Sequence, residues 1–266
     1  GKVGFPLLIK PSAGGGGKGM RIVRDPATLN DEIVRARSEG ERYFGDGRLY
    51  VEKYIEQPRH IEVQVLGDAH GNVVHLFERE CSVQRRFQKI VEETPSPALN
   101  AEQRKAICET AAGIAKAANY RNAGTIEFIY GKGEFYFLEM NTRLQVEHPV
   151  TEMVTGVDLV REQLRVAAGQ KLRFAQNDIK VSGHAIEFRL YAESPARGFT
   201  PTTGKALALR WPDGAGVRVD SGIVQGQPIT SAFDPMLAKL IVHGADRKEA
   251  ITRADAALAH SALPGC

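Results

Sequence analysis

At 266 residues, 42% hydrophobic and 25% charged, the chain has an ordinary globular composition, enough for one large domain or two modest ones, and this excludes a disordered resting state. Its 35 Lys and Arg against 32 Asp and Glu leave a net charge of +3, too little for a protein that binds nucleic acid mainly by neutralising phosphates, so any basic chemistry is local. Cys81, Cys108 and Cys266 form an odd set without metal-type spacing, which reads as free thiols of a reducing, cytoplasmic setting, and no window reaches the roughly 18 apolar residues of a membrane helix.

Phe5 to Lys10 reads as a strand, Pro11 to Gly19 as a glycine-rich loop and Met20 to Arg24 as a returning strand. An apolar run this close to Gly1 is expected to need strand neighbours from a segment ahead of it. Gly14, Gly16 and Gly19 satisfy the spacing of the dinucleotide fingerprint, but that motif needs a helix after the glycines, and Met20 to Val23 propose a strand. The P-loop pattern fails because no Gly-Lys-Ser/Thr occurs. What remains is a hairpin whose N–H groups could close over phosphates beside Lys10 and Lys18, or a mobile surface turn.

Asp25 and Pro26 open a helix expected to run to about Glu39 and stop at Gly40. Leu49 to Ile55 and His60 to Leu66 follow as strands, the second alternating Ile61, Val63 and Val65 with His60, Glu62 and Gln64; Val73 to Phe77 is the next. The run Gln84 to Lys89 is short and flanked by Glu78, Glu80, Glu92 and Glu93, which fits a local anion site better than a nucleic-acid track. Asn100 with Gln103 makes a capping-box start for a helix to about Ala118, with Ile107, Ala111, Ile114 and Ala118 on one stripe.

Thr125 to Tyr130 and Phe135 to Met140 form a hairpin, and a three-residue loop of Lys132, Gly133 and Glu134 would set Glu127 opposite Glu139. Asn141 shares a face with Glu139 by strand alternation, so three oxygen donors converge. Hard oxygen donors without His or Cys point to Mg2+ or Mn2+, unless both glutamates simply face solvent. The polar run Asn141 to His148 then places a guanidinium, an amide and a carboxylate beside that cluster, as capture and deprotonation of a small oxyanion would require. His148 precedes Pro149 and reads as structural.

Asp158 to Ala168 is helical and stops at Gly169. Short strands and turns dominate afterwards, with a boundary near residues 175 to 182 and a last helix from about Asp246. In the strand His184 to Tyr191, Glu187 and Arg189 lie opposite Ile186 and Phe188, making Arg189 either half of a solvated pair or a buried anion clamp.

Residues 9 to 20 (IKPSAGGGGKGM), 52 to 64 (EKYIEQPRHIEVQ), 80 to 86 (ECSVQRR) and 139 to 152 (EMNTRLQVEHPVTE) together resemble the biotin carboxylase family within the ATP-grasp superfamily. The likeness continues through 183 to 189 (GHAIEFR) and 233 to 239 (FDPMLAK) and so covers essentially the whole chain. It implies an α+β fold: a partial ATP-grasp lid with the Gly-rich loop (1–54), an antiparallel-sheet catalytic core (55–180) and an incomplete, β-rich biotin carboxylase C-terminal domain (181–266). The implied reaction is ATP- and bicarbonate-dependent carboxylation of biotin via carboxyphosphate; another ATP-grasp ligase of the carbamoyl-phosphate synthetase type, or a non-catalytic nucleotide-binding fragment, are the alternatives.

By the same resemblance ATP would meet Lys10, the loop Gly14, Gly15, Gly16 and Gly17, Met20, Glu52, Lys53, Ile55, His60, Gln84, Ile129 and Leu138. Glu127, Glu139 and Asn141 would hold Mg2+ or Mn2+; Lys89, Arg143, Gln145 and Val146 would seat bicarbonate; Glu147 would be its base, and Arg189 would stabilise the biotin enolate. Partners implied are a biotin carboxyl carrier protein or domain, a carboxyltransferase subunit, plus a second copy in a homodimer at full length, with neither nucleic acid nor membrane. The chain departs from the family at Phe87, where a polar residue is usual, and in lacking the N-terminal domain, a further lid lysine and the C-terminal tail. Alone, it is expected to bind Mg-ATP weakly and turn over little biotin.

Overall fold

The computed structural model describes residues 3–14 and 19–265. They divide into two compact units: a smaller one from Gly1–Pro58, Gln84–Lys89 and Gly131–Glu134, and a larger one from Arg59–Val83, Ile90–Tyr130 and Phe135–Cys266.

In the smaller unit β1 (Leu7–Pro11) lies between β2 (Arg21–Val23) and β3 (Leu49–Lys53), antiparallel to both. The strand and the returning strand are thus as expected, and residues 15–18 of the loop between them lie outside the described residues. Leu7, Ile9 and Val23 pack with Ala36 of α1 (Leu29–Phe44) to form its core. Asp25 caps a 3-10 turn, Pro26–Thr28, that leads into α1. The expected stop at Gly40 is corrected: the helix runs through it and ends at Gly45, whose φ of 69° suits glycine. Gly40 is instead a point of close approach, since a Cβ there would come 2.9 Å from the Asp46 carbonyl oxygen.

The larger unit is built on β4 (Arg59–Gly67), β5 (Val73–Arg85), β6 (Gln88–Thr94), β7 (Asn122–Gly131), β8 (Glu134–Asn141) and β9 (His184–Tyr191). Two short pairs follow, β10 (Glu193–Ser194) with β11 (Thr200–Pro201) and β12 (Gly204–Lys205) with a strand at Pro228–Ile229. β13 is Val217–Ser221, β14 that Pro228–Ile229 strand, and β15 Met236–Gly244. Eight of these form one sheet in the order β13-β15-β9-β6-β5-β4-β7-β8. The change of texture near residue 180 therefore lies in loops and short strands, and the sheet runs through it.

One face of β4 and β7, carrying Ile61, Val63, Val65, Ile126 and Phe128, is covered by α2 (Ala101–Ala117) through Ile107, Cys108, Ala111 and Ala115. Burying each isoleucine is worth roughly 2 kcal/mol. The Asn100–Gln103 capping box forms as read, but Ala118 is exposed and the apolar stripe turns toward Cys108 and Ala115. On the other face sit α3 (His148–Thr155) and α4 (Leu159–Ala167), while α5 (Arg247–His260) covers Ile186, Leu240 and Val242. β5 is 13 residues long, where only Val73 to Phe77 was expected, because Glu78, Arg79 and Glu80 read as solvent residues yet are buried. No described helix is long and apolar enough to cross a membrane. Cys81 and Cys108 are free and buried; Cys266 lies outside the described residues.

Asp68, at the end of β4, accepts from the backbone N–H groups of His70, Asn72 and Leu172 and from the Asn72 amide. Burial opposes its charge, but these donors outweigh it and hold the carboxyl down at about 2. Its stabilising effect is therefore complete above the ordinary carboxylate range and is lost as pH falls toward 2. Asp68→Ala is expected to cost about 2 kcal/mol, read as a lower urea midpoint at neutral pH, with the gap to wild type closing in acid.

Candidate functional site

On the α3 face of the sheet the strands present polar rather than apolar side chains. Register places Glu62 of β4 beside Arg79 of β5 and Glu127 of β7, and Gln64 beside Thr125. Arg79 is fully buried: its Nε donates to Glu62 Oε1 (2.6 Å), Nη1 to Gln64 Oε1 (2.7 Å) and Thr151 Oγ1 (3.1 Å), and Nη2 to Thr125 Oγ1 and Gln145 Oε1 (both 3.2 Å). A guanidinium has five N–H groups, and each meets an acceptor here. Burial works against its charge, but Glu62 and then Glu147 outweigh that and keep it protonated.

Next to this cluster the Asn141 Nδ2 donates to Glu127 Oε1 (3.0 Å) and Glu139 Oε1 (3.3 Å), so the three expected metal donors do converge. The loop argument that led there is corrected. β7 and β8 are joined by two residues, Lys132 (φ 54°) and Gly133 (φ 84°), rather than three. Phe135 and Met140 of β8 both pack against the α2 core, although strict alternation would put them on opposite faces. Glu127 also accepts from Gln145 Nε2 (2.7 Å) and lies 2.8 Å from His60 Nε2, without a hydrogen bond between them, and His60, Glu62 and Glu127 form a further set of closely spaced donor atoms. Two carboxylates and an amide oxygen are the donor chemistry of Mg2+ or Mn2+; here Asn141 turns its Nδ2 to the carboxylates and its Oδ1 to Arg143, so its amide would have to rotate to join such an ion.

The segment leaving β8 separates its side chains by exposure. Arg143 is exposed, and the hydrogen bonds it makes to Leu144 O and Asn141 Oδ1 are long (3.4 Å each). Gln145 is buried between Arg79 and Glu127, and the Val146 carbonyl accepts from Lys239 Nζ (2.8 Å). Glu147 is 2% exposed at the N-cap of α3 and accepts from Arg189 Nη2 (3.0 Å), while Arg189 Nε donates to Glu92 Oε1 (2.6 Å). Arg189 is thus half-buried and paired with two buried carboxylates of the protein, so it is not half of a solvated pair. Burial alone would lower its pKa, but Glu92 and Glu147 hold it above its ordinary value. His148 is structural: its Nδ1 faces Gln145 O at 2.8 Å, and burial lowers its pKa. Ile129 and Leu138 are half-buried on β7 and β8.

Among the expected ATP residues of the smaller unit, Lys10 pairs with Glu52 (2.5 Å) and stands 5.8 Å from the Tyr50 ring. Lys53 Nζ donates to Phe5 O (2.7 Å), Met20 is half-buried, and a Cβ at Gly131 would come 2.7 Å from Ile55. The Gly14 N–H donates to Pro11 O (3.1 Å); Gly15, Gly16, Gly17 and Lys18 lie outside the described residues. Gln84 and Lys89 flank a tight turn at Arg86 (φ 51°) and Phe87 (φ 66°), a conformation that His or Asn adopts more readily than Phe.

Sequence reasoning did not single out Arg79, Glu62, Glu92 or Lys239 as parts of the site. The signal was there: Glu62 follows His60 on the face opposite Ile61 and Val63, and Lys239 closes the run 233 to 239.

A family model of the ATP binding domain of the carbamoyl-phosphate synthase L chain matches residues 1–175, and one of the biotin carboxylase C-terminal domain matches residues 187–266. Biotin carboxylase of Allochromatium vinosum is 51% identical, over 99% of this chain and 59% of that protein. Biotin carboxylase 2 of Bacillus subtilis is 53% identical, over 97% of this chain and 58% of that protein. The biotin carboxylase domain of Hydrogenobacter thermophilus 2-oxoglutarate carboxylase, solved as a dimer with MgADP, ADP and bicarbonate, superposes with a TM-score of 0.94 at 48% identity, covering 99% of this chain and 58% of that one. The chain thus spans a little over half the length of the curated relatives it matches, 59% and 58% for these two.

Proposed function

This chain belongs to the biotin carboxylase family within the ATP-grasp superfamily, and from that premise we propose that it carries out ATP- and bicarbonate-dependent carboxylation of biotin on a biotin carboxyl carrier. The observation that carries this reading is Glu147, a buried carboxylate paired with Arg189, in the same segment as the exposed Arg143 and as Asn141, whose amide reaches Glu127 and Glu139. In this reading the segments 1–54, 55–180 and 181–266 are a partial lid, the catalytic core and an incomplete C-terminal domain.

Arg143, with Lys89, Gln145 and the Val146 backbone, seats bicarbonate by charge and hydrogen bonds. Glu147 takes its proton, and the freed oxygen attacks the γ-phosphorus of ATP as the bond to ADP breaks, giving carboxyphosphate. Glu127, Glu139 and Asn141 hold the Mg2+ or Mn2+ that accompanies ATP; when bound, it neutralises charge on the phosphates. Lys10, the loop Gly14 to Gly17, Met20, Glu52, Lys53, Ile55, His60, Gln84, Ile129 and Leu138 take the rest of the nucleotide. Carboxyphosphate breaks to CO2 and phosphate, and the phosphate takes the ureido proton of biotin. Arg189 stabilises the enolate that then attacks CO2. A carboxyltransferase subunit would receive the product, and a cytoplasmic homodimer is the assembly that fits.

The test is ADP release by the full-length protein with Mg-ATP and bicarbonate. The rate is expected to rise on adding free biotin and to stay flat with an amine donor. Stimulation by the amine instead would move the assignment to the carbamoyl-phosphate-forming branch of the superfamily.

A further inference from the structure

Glu92 on β6 stands directly opposite Glu187 on β9 in an antiparallel register. Both side chains therefore leave the same face, with Cβ atoms roughly 5 Å apart. Both residues are 0% exposed. Glu92 Oε1 is taken by Arg189, but Glu92 Oε2 and both carboxyl oxygens of Glu187 have no hydrogen-bond partner among the described residues.

The charged groups that act on Glu187 are Glu92 from β6, Arg189 from its own strand, Lys239 from β15 and Glu147 from the start of α3; Glu62 also acts on Glu92. Neither cation turns to Glu187. Arg189 holds Glu92 and Glu147, and Lys239 donates to Val146 O and lies 3.5 Å from Asp220. Two ionised carboxylates so placed would repel one another and leave three buried acceptors without donors. A single proton removes the repulsion and joins two of those three oxygens in one hydrogen bond, because a neutral carboxyl is a donor as well as an acceptor.

We propose that Glu187 and Glu92 share one proton, Glu187 serving as the acid that donates to Glu92 Oε2, and that this pair is a positioning device that keeps Arg189 aimed at Glu147. Burial and then the facing Glu92 push the Glu187 carboxyl well above the ordinary range, against the pull of Lys239 and Arg189; burial raises Glu92 in the same way. Were Glu187 ionised, a third carboxylate would compete for the Arg189 guanidinium. Protonated, it leaves that group to Glu92 and Glu147, with Tyr191 as a further partner. The kinetic half of the idea rests on the reading of Glu147 as the base; the shared proton does not.

Infrared spectroscopy of the full-length protein tests it. Wild type at about pH 8 is expected to show the carbonyl stretch of a buried protonated carboxyl, far above the ordinary glutamic acid pKa, and Glu187→Gln to lack it. Glutamine stays neutral and can still donate, so Glu187→Gln should keep kcat within about threefold at neutral pH and shift the alkaline fall of wild-type activity upward. Glu187→Leu, which cannot donate, should lose at least about tenfold. Absence of the carboxyl band in wild type overturns the proposal without any variant, and so does an alkaline arm unchanged in Glu187→Gln. A protein that shows the band yet ignores biotin overturns only the proposed reaction.

Discussion

Replacing Glu147 by glutamine is expected to lower kcat for biotin- and bicarbonate-dependent ADP release by about 10²- to 10⁴-fold, the range that a general base supplies. Affinity for Mg-ATP should stay within about threefold, because the residues assigned to the nucleotide are other than Glu147 and keep their own side chains. Glutamine keeps the volume and an oxygen for Arg189 Nη2, 3.0 Å away in the native chain, but it cannot accept the bicarbonate proton. Steady-state ADP release together with calorimetric titration of ATP separates the two effects. A variant that turns over within tenfold of wild type would remove Glu147 from the mechanism, and a protein with no rate to lose would be a binding module.

The second large effect is on stability. Arg79→Met should destabilise the protein by about 3–5 kcal/mol, because it takes the guanidinium from a fully buried Glu62 and from four other acceptors. Removing one partner of a buried pair costs more than the pair contributes, so adding Glu62→Gln to Arg79→Met should recover part of the loss even though it deletes a second native group. Lysine offers three donors from one point instead of a planar fork, so Arg79→Lys should recover little. Urea midpoints of these three variants and of Glu62→Gln alone decide the matter, and additivity of the two single changes would show that the charges are independent.

Local signals carried much of the architecture. The Asn100–Gln103 capping box, the αL glycine at position 169 and the alternation of His184 to Tyr191 each produced the element they announce. Where reading failed, the cause was non-local. Gly40 looks like a helix stop until Asp46 is seen against it, and Arg79 shows no sign of burial in the sequence until Thr151 of α3, 72 residues further on, is seen against it. Convergence of Glu127, Glu139 and Asn141 was expected, but from a three-residue loop where the hairpin has two. Charged residues at alternate strand positions can be read as a solvent face or as a site, and only a covering helix decides between them.

The smaller unit is made of three separate stretches, the residues up to Pro58 and the two hairpin tips Gln84–Lys89 and Gly131–Glu134. Its boundary in space is therefore not a boundary in the polypeptide. Exchanging this unit between relatives by recombination would need breakpoints on both sides of each tip as well as one after Pro58. A single crossover at residue 58 would join one parent's β1 to β3 to the other parent's tips and so build this unit from two sources.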